Sequence, residues 1–340
     1  MNKNIIMMNE LISSFPKQLE DAYSAFQKLS LSSFEKSDRK ISNIVVVGLG
    51  GSGIGGNLIQ TITRSLLKIP YQVCKTYNLP SYINENTLFI ASSFSGNTEE
   101  TLASLEEAQR KGAYIACLTS GGKIEQIANE KGFDLVPLKS LAACPRAHLP
   151  YSATSLLLLL HHYRLIDIDF GTEIKETVNS LNQKNDTIKT DAKEIAISLK
   201  DKFPILYADA ILEPMLIRFQ QQINENAKQL CHVAVFPEMN HNELVGWHLP
   251  KEILSKTHIL LFHSDYDHER VSKRMEICET IFNKHTNSIT HISAKGNSFL
   301  EQVFYLIYLT DWVSYYLAEE NGVDPFPVEV INYLKSSLQE

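Results

Sequence analysis

Beyond residue 40 the chain alternates two hydrophobic patterns. Short runs of β-branched and aliphatic residues are separated by longer stretches whose apolar positions return every three or four residues. The runs at 44–47, 72–77, 87–92, 114–119 and 135–138 predict strands. The stretches at 56–67, 99–111 and 123–131 predict the intervening helices, and 151–165 predicts a helix buried nearly all round. Residues 166–202 are polar and charged, with weak periodicity around Ile174, Val178 and Leu181, and are expected to form a helical connector. From 203 the alternation restarts. It predicts strands at 204–208, 232–236, 258–262 and 288–292, and helices at 213–228, 269–284, 299–318 and 327–338. Strands alternating with helices at this spacing imply βαβ units and parallel sheets, an α/β fold. Residues 1–40 carry Leu11, Phe15, Leu19 and Tyr23 at steps of four and predict a helical arm. The expected organisation is arm 1–40, first domain 41–165, connector 166–202 and second domain 203–340. No strong repeat relates the two halves.

The stretch Ile44-Val-Val-Val47-Gly48-Leu-Gly50-Gly51-Ser52-Gly53-Ile-Gly55-Gly56 places six of the fifteen glycines directly after the first strand. Glycine lets a ligand approach the backbone, and the first N–H groups of a following helix favour an anion. A phosphate or other anionic group is therefore expected here. The stretch formally matches GxGxxG, but the carboxylate that a dinucleotide ribose requires at the end of the second strand is replaced by Val73-Cys-Lys-Thr-Tyr-Asn78. A Walker loop is absent, and Ile54 stands where a GxSxG nucleophile turn needs glycine. A second loop, Ser92-Ser93-Phe94-Ser95-Gly96-Asn97-Thr98-Glu99, also joins a strand to a helix. A simple helix cap needs one hydroxyl. Several beside a glycine suit a phosphate dianion.

Composition narrows the function classes. The length of 340 residues suits two domains, and 44% hydrophobic residues supply their cores. A net charge of −7 gives no electrostatic support to a nucleic-acid partner. The five cysteines are scattered, odd in number and without CxxC, which reads as reduced thiols in the cytoplasm. The N-terminus lacks a sustained apolar segment, and the longest apolar run, 156–160, is far below the roughly 20 residues that span a bilayer. A soluble, cytoplasmic protein without a membrane partner is expected. His263-Ser-Asp265-Tyr-Asp267-His268 fits no metal-ligand spacing and reads as a solvated loop, and His161-His162 as structural.

Ser93-Phe-Ser95-Gly96-Asn97-Thr98-Glu-Glu-Thr101 resembles the SxSGxT signature of sugar isomerase (SIS) domains, and Gly50-Gly51-Ser52-Gly53 fits their first phosphate loop. Pro145-Arg146-Ala147, Asn224-Glu225-Asn226-Ala227-Lys228, Asn240-His241-Asn242-Glu243 and Leu334-Lys335 narrow the resemblance to the bifunctional phosphoglucose/phosphomannose isomerases of that family. It runs from about Ile41 to Lys335. Phe94 departs from the frequent tyrosine, keeping the ring and losing a hydroxyl.

The resemblance implies two flavodoxin-like SIS domains, each an α-β-α sandwich with a mainly parallel sheet, and an active site between them near the carboxyl ends of the first-domain strands. It implies interconversion of glucose 6-phosphate and mannose 6-phosphate with fructose 6-phosphate through a cis-enediol(ate), with no metal or redox cofactor. Glu225 then matches the base, His241 the ring-opening histidine, Arg146 the cation beside the enediolate and Lys335 a lysine that assists ring opening. Gly51, Ser52, Ser93, Ser95 and Thr98 match the phosphate site. The family pattern makes the partner a second copy of the chain, a homodimer with His241 contributed across the interface. Residue by residue, blander readings stand beside these: a helix-surface glutamate, a hydrogen-bonded structural histidine, a surface salt bridge and a solvated lysine. Two rivals also stand. A different SIS enzyme acting on aminosugar phosphates would, as a synthase, carry an N-terminal glutaminase domain, for which little room precedes Ile44. A non-catalytic phosphosugar-binding regulator would keep the hydroxyl loops but has no need of Glu225, His241 and Arg146.

Overall fold

A computed structural model describes residues 7–31, 40–286 and 288–338. Parts of the expected N-terminal arm, 1–6 and 32–39, lie outside the described residues. The chain forms two compact units, Ser13–Asn182 and, joined to Met1–Ile12, Gln183–Glu340.

The first unit opens with α2 (Phe15–Phe26), which follows the short α1 (Met8–Ser13) assigned to the other unit. Next come β1 (Asn43–Val47), α3 (Gly50–Ile62), β2 (Tyr71–Cys74), β3 (Thr87–Ser92), α4 (Glu99–Arg110), β4 (Tyr114–Thr119), α5 (Gly122–Lys131) and β5 (Asp134–Pro137). A 3₁₀ turn, Pro145–His148, leads into α6 (Leu149–His162), and α7 (Gly171–Gln183) closes the unit. The sheet is wholly parallel in the order β2-β1-β3-β4-β5, the flavodoxin-like order. Ile44, Val45, Val46 and Val47 are each fully buried, as a central parallel strand covered on both faces requires. Each such side chain contributes about 1.5–3 kcal/mol. Helix α6 is buried from Leu149 to Leu160, Ser152, Thr154 and Ser155 included, matching its largely apolar sequence.

The second unit runs α8 (Asn185–Leu199), β6 (Phe203–Asp209), α9 (Glu213–Gln222), β7 (His232–Phe236), α10 (Glu243–Gly246), α11 (Lys251–Leu254), β8 (Thr257–His263), α12 (Glu269–Phe282), β9 (Ile289–Ser293), α13 (Phe299–Glu320) and α14 (Glu329–Ser337). Its sheet is also parallel, in the order β7-β6-β8-β9. Helix α13 packs along α8 and α9. It carries Asp311, whose carboxylate takes both oxygens to Arg218 at 3.2 Å in the interior. Removing one member of such a buried pair costs about 3–5 kcal/mol.

Three differences from the expected elements have local causes. Helix α3 begins at Gly50, six residues before the expected start, because Leu49 is extended and Ser52 and Gly53 already donate to its carbonyl. Strand β2 stops at Cys74 and not at 77, since its partner β1 ends at Val47, paired with Cys74. The stretch 166–202 forms two helices, α7 grouping with the first unit and α8 with the second. The 263–268 loop ends in a helix cap, the His268 ring accepting from Arg270 N at 3.1 Å.

Candidate active site

In the first sheet the winding direction reverses between β1 and β3, and ligands of such sheets bind in the crevice beyond the carboxyl ends at that point. Both hydroxyl-bearing stretches lie there. After β1 the chain turns so tightly that a Cβ on Gly53 would strike Gly48 O. Ser52 thereby falls in the first turn of α3, its own N–H donating to Leu49 O at 3.1 Å. After β3 the second turn folds over it. Phe94 N donates to Ser52 Oγ at 3.3 Å, joining the two stretches. Ser93 Oγ and Thr98 Oγ1 lie 2.8 Å apart, Gly96 N donates to Ser93 Oγ at 3.2 Å, and Asn97 N to Ser95 Oγ at 3.3 Å. Ser52 and Ser93 are buried and Ser95 is open to solvent.

The second turn is braced from the β4–α5 connection. Phe94 O accepts from Ser120 N and Oγ at 3.0 and 2.6 Å, and Gly96 O from Ile124 N at 3.0 Å. Gly96 has φ +66°, and a Cβ there would collide with Gly121 O, so no other residue fits. Arg146 sits on the 3₁₀ turn Pro145–His148 and is buried. A Cβ built on Gly51 would lie 3.6 Å from Pro145 O and 3.8 Å from Arg146 Cα. The arginine turn therefore backs directly onto the first hydroxyl turn.

In the second unit, α9 ends in a single π-helical turn, Ile223–Ala227, that carries Glu225. Such widened turns recur at functional sites. The turn is tied down on both sides. Asn226 Nδ2 donates to Ser314 Oγ on α13 at 2.9 Å, and Asn321 Nδ2 to Ala227 O at 3.1 Å. Lys228, at φ +56°, donates from Nζ to Glu225 O and to Pro327 O at 2.8 Å. Glu225, half-buried, lines a cavity of about 600 Å³ together with Asn224, Lys228 and the segment 323–331. Lys335 is exposed in the last turn of α14, beyond that lining.

His241 ends the 3₁₀ turn Glu238–His241 and is exposed. Its neighbour Glu243 anchors the segment, accepting from Tyr207 OH and bonded to His232 Nε2 at 2.8 Å. Burial raises the Glu243 carboxyl, but the bonds from His232 and Tyr207 win and hold it below the ordinary value. The bond to Glu243 correspondingly holds His232 above its own. The crevice of this second sheet is acidic: Asp209 ends β6, and Asp265 and Asp267 follow β8. Burial, with the Asp209 and Asp265 charges, pushes Asp267 up to about 6. Among the described residues no group of three or more His, Cys, Asp or Glu is arranged to hold a metal ion, and no helix is long and apolar enough to cross a membrane.

Residues 39–138 match the model of the SIS domain, and 188–338 that of the bacterial phospho-glucose isomerase C-terminal SIS domain. The bifunctional phosphoglucose/phosphomannose isomerase of Caldicellulosiruptor bescii is 39% identical over 98% of this chain and 99% of its own. The chain belongs to the bifunctional phosphoglucose/phosphomannose isomerase family. A second relative of that name, from Aquifex aeolicus, is 35% identical over 87% of this chain and 90% of its own. Among solved structures, the C-terminal domain of glucosamine-fructose-6-phosphate aminotransferase from Francisella tularensis superposes with a TM-score of 0.71 at 16% identity, covering 96% of this chain and 100% of that one. That likeness bears on the fold alone, two SIS domains with parallel sheets flanked by helices.

Within the phosphoglucose/phosphomannose isomerase fold, the first unit brings Gly51, Ser52, Ser93, Ser95, Thr98 and Arg146 together. Glu225, His241 and Lys335 all belong to the second unit, at the cavity wall, on an exposed turn and on a terminal helix. Sequence reasoning passed over two residues that hold the arginine turn. Gln18 on α2, fully buried, donates from Nε2 to Ala147 O at 2.9 Å. Its signal was a polar residue on the apolar stripe Phe15, Leu19, Ala22. His148 is buried beside Arg146 with both ring nitrogens bonded, and between Ala147 and Leu149 nothing in its sequence marked it.

Proposed function

We propose that the chain interconverts glucose 6-phosphate, and mannose 6-phosphate, with fructose 6-phosphate. The observation that carries this reading is the pair of hydroxyl turns interlocked at the β1/β3 switch point with buried Arg146 packed behind them. Backbone N–H groups of the α3 and α4 first turns and the Ser52, Ser93, Ser95 and Thr98 hydroxyls suit the phosphoryl end of the sugar. The acidic crevice of the second sheet would repel it.

With the phosphoryl group held, His241 and Lys335 assist opening of the sugar ring by proton transfer at the ring oxygen and the anomeric hydroxyl. Glu225 takes the proton from C2 of the open aldose, the C1 carbonyl becomes the enediolate oxygen, and Arg146 offsets that charge. Returning the proton to C1, with protons exchanged between the two oxygens, gives the ketose. Glucose and mannose 6-phosphates differ only at C2 and share one enediol, so one carboxylate serves both. The proton balance closes without an outside electron acceptor. The working form is proposed to be a cytoplasmic homodimer in which His241 comes from the neighbouring chain. Exposure of His241 and of Val245 and Leu249 in the same segment supports this.

The test is a coupled assay on both aldose phosphates in EDTA, comparing wild type with Glu225→Gln. Both substrates should turn over. The variant should lose about 10²–10⁴-fold in kcat while inorganic phosphate still competes. Near-wild-type turnover by Glu225→Gln would remove the base. Phosphosugar binding without turnover by the wild type would identify a regulator.

A further inference from the structure

We propose that His148 is a positioning residue for this reaction, locking the turn that carries Arg146 to the phosphate loop. The inference rests on the role given to Arg146 above.

His148 is 1% exposed and closes the 3₁₀ turn Pro145–His148. Leu141 N donates to its Nε2 at 2.9 Å, so Nε2 carries no proton. Nδ1 faces Cys144 O at 2.8 Å, which only accepts, so Nδ1 carries the proton. The neutral ring thus holds one tautomer and one orientation. Its two partners belong to the strand of loop that runs into the arginine turn. By tying residues 141 and 144 to 148, the ring closes a loop around Arg146. Gln18 secures the same turn from outside through Ala147 O.

The ring also reaches the other half of the site. It stacks on Phe94 with centroids 4.7 Å apart and planes at 27°. Phe94 is the residue whose N–H meets Ser52 Oγ and whose carbonyl takes both Ser120 bonds. One imidazole therefore connects the arginine turn with both hydroxyl turns. A phenylalanine or leucine would fill the same space without burying two polar nitrogens. The imidazole adds direction, and direction matters where an error of about 1 Å costs about a hundredfold in rate.

The experiment is a double-mutant cycle with His148→Phe, which keeps an aromatic ring against Phe94 and removes both hydrogen bonds. In an otherwise wild-type chain it should lower kcat about 10- to 100-fold, with the inhibition constant of inorganic phosphate changed less than about twofold. On an Arg146→Ala background it should lower kcat less than about a further twofold, because a residue that acts through Arg146 has nothing left to position. Equal losses in the two backgrounds, an unchanged kcat, or loss of phosphate binding in step with kcat would each overturn the proposal. If His148→Phe is not recovered folded by circular dichroism, the cycle is run with His148→Gln, whose amide retains an acceptor and a donor. A partial loss confined to the Arg146 background then supports the proposal, and equal loss overturns it. Wild-type kcat in Arg146→Ala alone would instead sink the role given to the arginine.

Discussion

Single residues make up the proposed anion site, and the reasons they were readable differ. Ser52, Ser93, Ser95 and Thr98 were read together because several hydroxyls beside glycines exceed what one helix cap needs. Gly96 was legible as part of a motif, whereas the collision with Gly121 O that demands it is visible only in three dimensions. His148 was silent, and Gln18 showed only as a polar residue on an apolar stripe, because their partners, Cys144 O, Leu141 N and Ala147 O, are backbone atoms without sequence identity. The pair His232–Glu243 yields a prediction at this scale. Raised His232 contributes stability fully below its ordinary pKa, and the contribution fades as pH rises through the raised value. Lowered Glu243 contributes above its ordinary pKa, and loses it as pH falls through the lowered value. The ion pair is therefore complete between about pH 4.5 and 6.5. Thermal melts of wild type and Glu243→Gln should differ most in that window and converge in Tm toward alkaline pH. A Tm gap independent of pH would mean that the charge on this pair does not matter.

At the scale of elements, βαβ alternation was plain in the hydrophobic pattern, and the boundaries that moved did so where partners ended or began. Strand β2 stops where β1 stops offering carbonyls. Helix α3 starts at Gly50, and its first turn needs glycine at Gly53, where a Cβ would collide with Gly48 O. The π turn under Glu225 had no sequence signature. It exists because Asn226 is held by Ser314 and Ala227 O by Asn321, contacts with α13 and the residue after it, some 90 positions away. Asn226→Ala should therefore cost about 1–3 kcal/mol in denaturant unfolding and lower kcat, while inorganic phosphate binding in the other unit stays intact. Unchanged kcat with the stability lost would make the widened turn merely structural.

At the scale of the molecule, the two sheets share one winding and differ at their switch points, hydroxyls at one and carboxylates at the other. Helix α14 buries none of its residues, leaving Val330, Tyr333 and Leu334 exposed, and the His241 segment exposes Val245, Leu249 and Ile253. Apolar faces left uncovered by their own chain suit the proposed second copy. Mixing tests it directly. Glu225→Gln and His241→Ala, each nearly inactive, should on subunit exchange recover about a quarter of wild-type activity, since half the dimers are mixed and one of their two sites is intact. No recovery above the parents, with exchange demonstrated, would return His241 to its own chain.

The order of strands and helices, the α/β class and the hydroxyl turns followed from the sequence alone, because hydrophobic period and glycine chemistry are local properties of neighbouring residues. Tertiary structure decided what depends on distant backbone: the buried seat of Arg146, the π turn beneath Glu225, the His148 tautomer and the division of the polar residues between two units. Those choices are set by which carbonyls and amides meet across the fold, and a side-chain alphabet does not record them.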